Sequence, residues 1–378
     1  MIPLSLYIHI PWCIQKCPYC DFNAHKKTTA LPETQYYHAL LQDLQQDLSH
    51  YTSIRREIHS IFFGGGTPSL LSGAFYYNLL QAIEKCIPFK QNIEITLEAN
   101  PGTLESNRFT EYRQAGINRL SIGVQSFNTQ HLQTLGRIHN DKQAHHAIST
   151  AYGSGFNNIN LDIMYGLPNQ IVIESLHDLQ TAIDYQVQHI SWYQLTLEPN
   201  TIFYKYKPIL PTDDICAAIE TQGLTLLKQH HYDRYEISAF CKFQQKSQHN
   251  LNYWLFGDYY GIGAGAHGKL TFLPNYQIIR TQKYRQPKDY LNMNNNYITS
   301  TKTLTTDTII FEFMLNTSRL HQKINFDLFT QQTGLNHQLL LPELQQAHSL
   351  GLINLTTTDW QITDFGRCFT NNLQELFL

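Results

Sequence analysis

The feature that most restricts this chain is a rhythm. Through its first two thirds, short apolar runs rich in β-branched residues alternate with longer stretches of helical period. Residues 4–10, 58–63, 93–98, 119–124, 159–164 and 189–195 read as strands. Residues 33–50, 70–87, 104–115, 143–152, 173–185 and 215–231 read as the helices between them, and Gly116 stops the third. Six βα units in succession predict parallel strands with right-handed crossovers. The expected fold class is therefore α/β. An open sheet and a barrel both fit the rhythm. A parallel βα barrel, partial or full, is favoured because polar and glycine residues recur where strands end: Cys13, Gly64 to Thr67, Glu98, Gln125 and Asp162. That end of a βα barrel carries its chemistry. Taken one at a time, the same residues read equally well as turn formers.

The rhythm breaks near residue 292. The polar run Asn292-Met293-Asn294-Asn295-Asn296 reads as a linker over 292–306. Beyond it, 308–320, 326–333 and 339–350 read as helices, 352–355 with 360–363 as a hairpin, and the remainder to Leu378 as a last helix. The expected division is a core over 1–291, the linker, and a small α+β domain over 307–378 that resembles a winged helix. Such modules often bind DNA. This one is not notably basic and the net charge of the chain is −3, so a lid or packing role is expected and no nucleic-acid partner. No run of 18 apolar residues exists, and the start Met1-Ile2-Pro3-Leu4-Ser5 lacks the basic and apolar regions of a signal peptide. A cytoplasmic location with reduced thiols is expected.

Seven cysteines are present, and Cys86, Cys216, Cys241 and Cys368 are scattered as ordinary thiols are. Cys13, Cys17 and Cys20 are different. Their spacing, C-x3-C-x2-C, puts three sulfurs on one short loop with no fourth cysteine close by. A four-iron cubane normally takes four thiolates, so three leave one iron open to bind a small molecule. Zinc competes for this reading, with His9 and His25 as candidate completing ligands. Gly64-Gly65-Gly66-Thr67-Pro68 offers backbone that a ligand can approach closely. Glu98 ends the third strand and suits ribose hydroxyls or an ammonium. Gln125 and Asp162 end the fourth and fifth, and Arg137 can pair with a carboxylate. The glycine-dense run from Gly261 to Gly268 lacks the strand-before, helix-after setting of a dinucleotide fingerprint. It reads instead as a loop near a cofactor, with His267 a weak candidate ligand.

The C-x3-C-x2-C run with Tyr19 just before its last cysteine resembles the signature of the radical SAM superfamily. That resemblance implies a [4Fe-4S] cluster on Cys13, Cys17 and Cys20 and S-adenosylmethionine (SAM) at the open iron. An electron from the reduced cluster then breaks the C5′–S bond of SAM. In order and spacing, the glycine triplet, Glu98, Gln125, Arg137 and Asp162 are similar to the oxygen-independent coproporphyrinogen oxidase group, which includes HemN and its relative HemW. The similarity spans essentially the whole chain. It implies that Tyr7, Gly65 and Glu98 line a primary SAM site. It also implies that Tyr19, Gly66, Thr67, Gln125, Arg137 and Asp162 occupy positions where HemN holds a second SAM.

Two departures separate the relatives. HemN enzymes carry a further cysteine two residues past the last cluster cysteine, where this chain has Phe22, and a long arm before the first strand, where Tyr7 stands almost at residue one. Both departures resemble HemW, a haem chaperone. His249-Asn250-Leu251-Asn252-Tyr253-Trp254 resembles its H-N-x-x-Y-W haem-binding signature. A neutral imidazole is a good axial ligand, so His249 is the expected haem ligand. The resemblance implies haem transfer to acceptor proteins, with respiratory enzymes at the membrane among the candidates, and an electron donor for the cluster. The alternative is coproporphyrinogen III oxidation by a SAM-derived radical. No residue is singled out as an acid–base catalyst.

Overall fold

The computed structural model describes residues 2–27, 30–54, 56–292 and 296–378. Six strands run parallel and pair in chain order: β1 (Leu4–Ile10), β2 (Ile58–Gly65), β3 (Phe89–Ala99), β4 (Arg119–Gln125), β5 (Ile159–Tyr165) and β6 (His189–Gln194). Helices α1 (Glu33–His50), α2 (Gly73–Cys86), α3 (Asp141–Gly153), α4 (Val172–Asp184) and α5 (Asp213–Gln229) accompany them. The expected helix over 104–115 is two short ones, Thr103–Ser106 and Phe109–Gln114.

The strands are buried on both faces, and their alternation sorts the two. Leu4, Leu6, Ile8 and Ile10 of β1 join Leu40 and Leu44 of α1 and Leu79 and Ile83 of α2 in one core. The intervening Ser5, Tyr7 and His9 face inward and are hydrogen-bonded there. Helix starts follow local chemistry: Ser72 caps α2 by accepting from Phe75 N, and Asn140 with Gln143 forms a capping box on α3.

The sheet then grows at both edges. Strands β7 (Asp233–Arg234) and β8 (Ala239–Cys241) extend it beyond β6. On the other side, β9 (Asp258–Ile262) pairs parallel with β1, and β10 (His267–Phe272), β11 (Gln277–Lys283) and β12 (Ile298–Thr303) follow antiparallel. The order is β12-β11-β10-β9-β1-β2-β3-β4-β5-β6-β8-β7. Its two edges do not pair with each other, so the barrel is partial. Strand β12 lies within the segment read from sequence as linker. Its side chains are mostly exposed, which makes it look like a loop, yet its backbone pairs with β11. Residues 293–295 of the same expected linker lie outside the described residues.

A short helix, α6 (Gln248–Trp254), closes the floor of the barrel. Its first amides, Gln248 N and His249 N, donate to the Glu94 carboxylate of β3 at 3.1 Å each. Behind β1, Lys283 is buried between Asp43 and Asp47, with 2.6 Å to the latter, and Tyr290 donates to Asp43 at 2.7 Å. The C-terminal segment has its own core around Phe313, Phe329, Leu344 and Trp360, which continues onto Phe256 and Ile278 of the large unit. It holds α7 (Thr306–Thr317), α8 (Phe326–Thr333), α9 (Leu341–Ser349) and a three-stranded sheet of Ile324–Asn325, Asp359–Ile362 and Ile353–Leu355. The expected last helix is two short turns, Asp364–Cys368 and Thr370–Glu375. Among the described residues no helix is long and apolar enough to cross a membrane.

Candidate functional site

The inward end of the parallel strands encloses a cavity of about 470 Å³, within the usual range for small-molecule sites. Cys13, Cys17, Cys20, Tyr19, Gly65, Gly66, Thr67, Glu98, Gln125, Arg137 and Asp162 all lie on its wall. Of the residues expected from sequence, Tyr7, His9, His25, Gly64, His249 and His267 do not.

The cysteine loop follows β1 directly, and the glycine loop follows β2. The two are clamped together by Gly66 N donating to Ile10 O and Thr67 N to Trp12 O, both at 2.7 Å. Glycine is required at the seam. A Cβ on Gly66 would stand 2.5 Å from Trp12 O, a backbone atom that cannot swing aside. Gly65 has φ +114°, and a Cβ there would meet the His9 ring at 2.5 Å. Arg137 ties the cysteine loop to the barrel. Its guanidinium donates to Asn100 Oδ1 and Gly123 O, both at 2.7 Å, and approaches Cys17 Sγ at 3.8 Å.

The charges on this wall are set by burial. Glu98 accepts from Gly65 N at 3.1 Å. Burial and then the nearby Asp162 carboxylate push its pKa up to about 8, against the lowering effect of that amide. Asp162 is also raised by burial, although Asn160 Nδ2 at 2.8 Å and Ser121 Oγ at 3.2 Å donate to it. Two raised carboxyls on one wall make a place where a cation is welcome. Burial, followed by its cysteine neighbours, pushes the Cys13 thiol up to about 11. Positive charge on a bound metal reverses that effect. Gln125 adopts φ +68°, a conformation a non-glycine residue holds only where its surroundings demand it, and it accepts from Tyr193 OH at 2.8 Å.

Three thiols along one wall suit a multi-iron cluster. Among the described residues no three His, Cys, Asp or Glu side chains are gathered as a single ion requires. The zinc alternative also loses His9, both of whose ring nitrogens are engaged. His9 spends Nδ1 on Tyr7 OH and Nε2 on Asn23 O, both at 2.9 Å, and His25 Nε2 faces Asn23 Oδ1 at 3.3 Å.

Tyr7 lies one layer below the cavity. Its hydroxyl donates to His9 Nδ1, because His9 Nε2 must carry the proton that the Asn23 carbonyl accepts. His249 lies lower still and is 1% exposed. Its Nδ1 meets Ser60 Oγ at 3.0 Å and its Nε2 meets Tyr253 OH at 2.8 Å, so neither nitrogen is free for iron. Burial first, then Arg119 and His59, depress its pKa to about 3 and keep the ring neutral. The Gly261 to Gly268 run, expected as a loop near a cofactor, is instead the end of β9, a turn over 263–266 and the start of β10, and it is off the cavity too. A Cβ on Gly263 would stand 2.4 Å from the His9 carbonyl, so the turn packs against the end of β1, with which β9 is paired. Sequence reading missed Asn100, Ser191 and Tyr193 on the wall. The strand-end argument, carried on to β6, points to Tyr193.

A match to the Radical SAM superfamily spans residues 7–179, and a match to the HemN C-terminal domain spans 304–369. Fold, cysteine loop and glycine seam thus define a radical SAM protein. The chain is 50% identical over 378 residues to "Heme chaperone HemW" of Haemophilus influenzae, covering 100% of this chain and 98% of that one. It is 48% identical over 376 residues to the protein of the same name from Escherichia coli K12, with the same coverage. The solved structure of E. coli HemN, coproporphyrinogen III oxidase, superposes with a TM-score of 0.83 at 23% identity, covering 100% of this chain and 90% of that one, which shows a shared fold. The chain belongs to the HemW family of the radical SAM superfamily.

Proposed function

We propose that this protein is a haem chaperone. It holds a [4Fe-4S] cluster on Cys13, Cys17 and Cys20 and SAM in the adjoining cavity, binds haem through the segment containing His249, and passes haem to acceptor proteins. The observation that carries the cofactor half is the gathering of the cysteine loop, the glycine seam, Glu98 and Asp162 on one cavity wall. Full-length similarity to proteins named heme chaperones carries the other half. When bound, the cluster and SAM supply one-electron chemistry at the sulfonium. The chain's own residues position and shield that chemistry. Gly65 and Gly66 let the two loops close on each other at the wall, Glu98 and Asp162 offer carboxyls that a cationic cofactor draws into their charged form, and Arg137 fixes the cysteine loop against β4. An electron donor must reach the cluster, and the acceptors we expect include respiratory enzymes at the membrane.

Haem ligation by His249 requires α6 to leave the barrel floor, because both ring nitrogens are engaged while it is seated. The test is haem titration of the anaerobically reconstituted protein, followed by transfer to a haem-depleted acceptor. A His249→Ala variant with full haem loading and an unchanged spectrum defeats the assignment of the ligand. Protoporphyrinogen IX formed at a catalytic rate from coproporphyrinogen III and SAM defeats the chaperone-only reading in favour of the oxidase.

A further inference from the structure

We propose that α6 is a latch shared by the two cofactors: SAM in the cavity holds it seated, and haem binds only when it is released, so that SAM drives haem off the protein. This rests on the haem reading of His249 above and adds its control.

A packed column joins the cavity to the latch. The cavity wall at Gly65 rests on the His9 ring, and His9 Nδ1 accepts from Tyr7 OH at 2.9 Å. The Tyr7 ring leans on Phe62 and on His249, with centroids 6.4 Å away in each case, and Phe62 stacks on His249 at 5.1 Å. Below, Tyr253 receives the His249 ring edge-on and packs on Tyr259 at 4.5 Å. Tyr259 OH accepts from Arg280 at 2.7 Å, and Arg280 pairs with Glu312 of α7 at 2.6 Å, so the C-terminal segment clasps the column from outside. A ligand that fixes the Gly65 wall fixes His9 and, through it, the Tyr7 ring that leans on His249. When α6 leaves, Tyr7 and Phe62 lose their floor and the wall above loses its support.

The seated latch is short and incompletely satisfied. Helix α6 has only seven residues. Two of its buried polar atoms, Asn252 Oδ1 and Trp254 Nε1, have no hydrogen-bond partner, and such atoms make the seated state costlier than a fully satisfied one. Seating and haem ligation compete for the same two nitrogens. SAM favours the first state and haem the second, so by linkage each weakens the other.

The test uses the full chain with its cluster reconstituted and kept oxidised, so that SAM binds without being cleaved. Ferric haem is titrated by absorption with and without saturating SAM, and amide hydrogen exchange is followed over 248–254. SAM is expected to weaken haem binding about tenfold or more, within the range of ordinary coupling, and to slow exchange in α6. An Arg280→Gln variant, which opens the clasp without touching the haem segment, should bind haem more tightly and respond less to SAM. Haem affinity equal within about twofold with and without SAM, or exchange in 248–254 indifferent to SAM, overturns the latch. If His249→Ala abolishes haem binding while SAM shifts nothing, the latch fails and the chaperone reading stands. If His249→Ala changes nothing, the reading of the haem ligand fails, and the latch, which rests on it, fails with it.

Discussion

Glu98→Gln isolates the electrostatics of the cavity. In the cofactor-free protein the Glu98 carboxyl titrates near 8, against an ordinary value of 4.5. The raised value means that the folded state binds this proton more tightly than the unfolded state does. Stability that depends on Glu98 is therefore full below pH 4.5 and is lost as pH rises towards 8, where the loss levels off. The slope over that window is about 1.4 kcal/mol per pH unit. Between pH 5.5 and pH 8 the wild type should lose roughly 3 kcal/mol relative to the neutral variant, an upper figure because solvent entering the cavity screens the charge. Glutamine keeps an oxygen for the Gly65 amide, so the comparison changes charge and little else. The assay is urea unfolding of the reduced, cofactor-free protein across that pH range, read for both proteins side by side. A gap that stays flat from pH 5.5 to pH 8, or that opens in the other direction, refutes the argument that burial beside Asp162 governs this carboxyl.

Three further outcomes follow from the same geometry. Gly66→Ala forces a methyl to 2.5 Å from the Trp12 carbonyl; it should cost about 1–3 kcal/mol, lower the melting temperature and leave less iron bound after reconstitution. Arg137→Met removes the donor shared by Asn100 and Gly123. It should lower iron and labile sulfide while far-UV circular dichroism stays native, because the loop rather than the barrel loses its anchor. Lys283→Met leaves Asp43 and Asp47 buried without their cation; it should destabilise the fold by about 3–5 kcal/mol, less at acid pH, where the carboxyls can protonate, as chemical denaturation will report.

Much of the site is legible in the sequence because its determinants are local. A strand of known direction has a known end, and the residues just past that end in parallel βα units share one face. Cys13, Gly65, Gly66, Glu98, Gln125 and Asp162 follow from that logic, Cys17 and Cys20 from their spacing on the same loop, and all of them meet on one wall. Tyr7 and His249 are implied by resemblance alone, which carries no information on their depth in the barrel. What buries them is contact between residues far apart in the chain: Ser60 with His249, and Tyr7 with Phe62. Strand β12 escaped notice for a related reason. An exposed edge strand owes its form to backbone pairing, which leaves no apolar pattern to read.

The sequence by itself determined the parallel βα order, the loop of three thiols and the glycine seam. Each of these depends on spacing along the chain and on the conformations its residues permit. Tertiary structure alone decided that the barrel stays open, that His9 is spent on Tyr7 and Asn23 rather than on a metal, and that the His249 imidazole is occupied on both sides. A side chain's type sets how many hydrogen bonds it can make. Only the folded chain sets which partners take them.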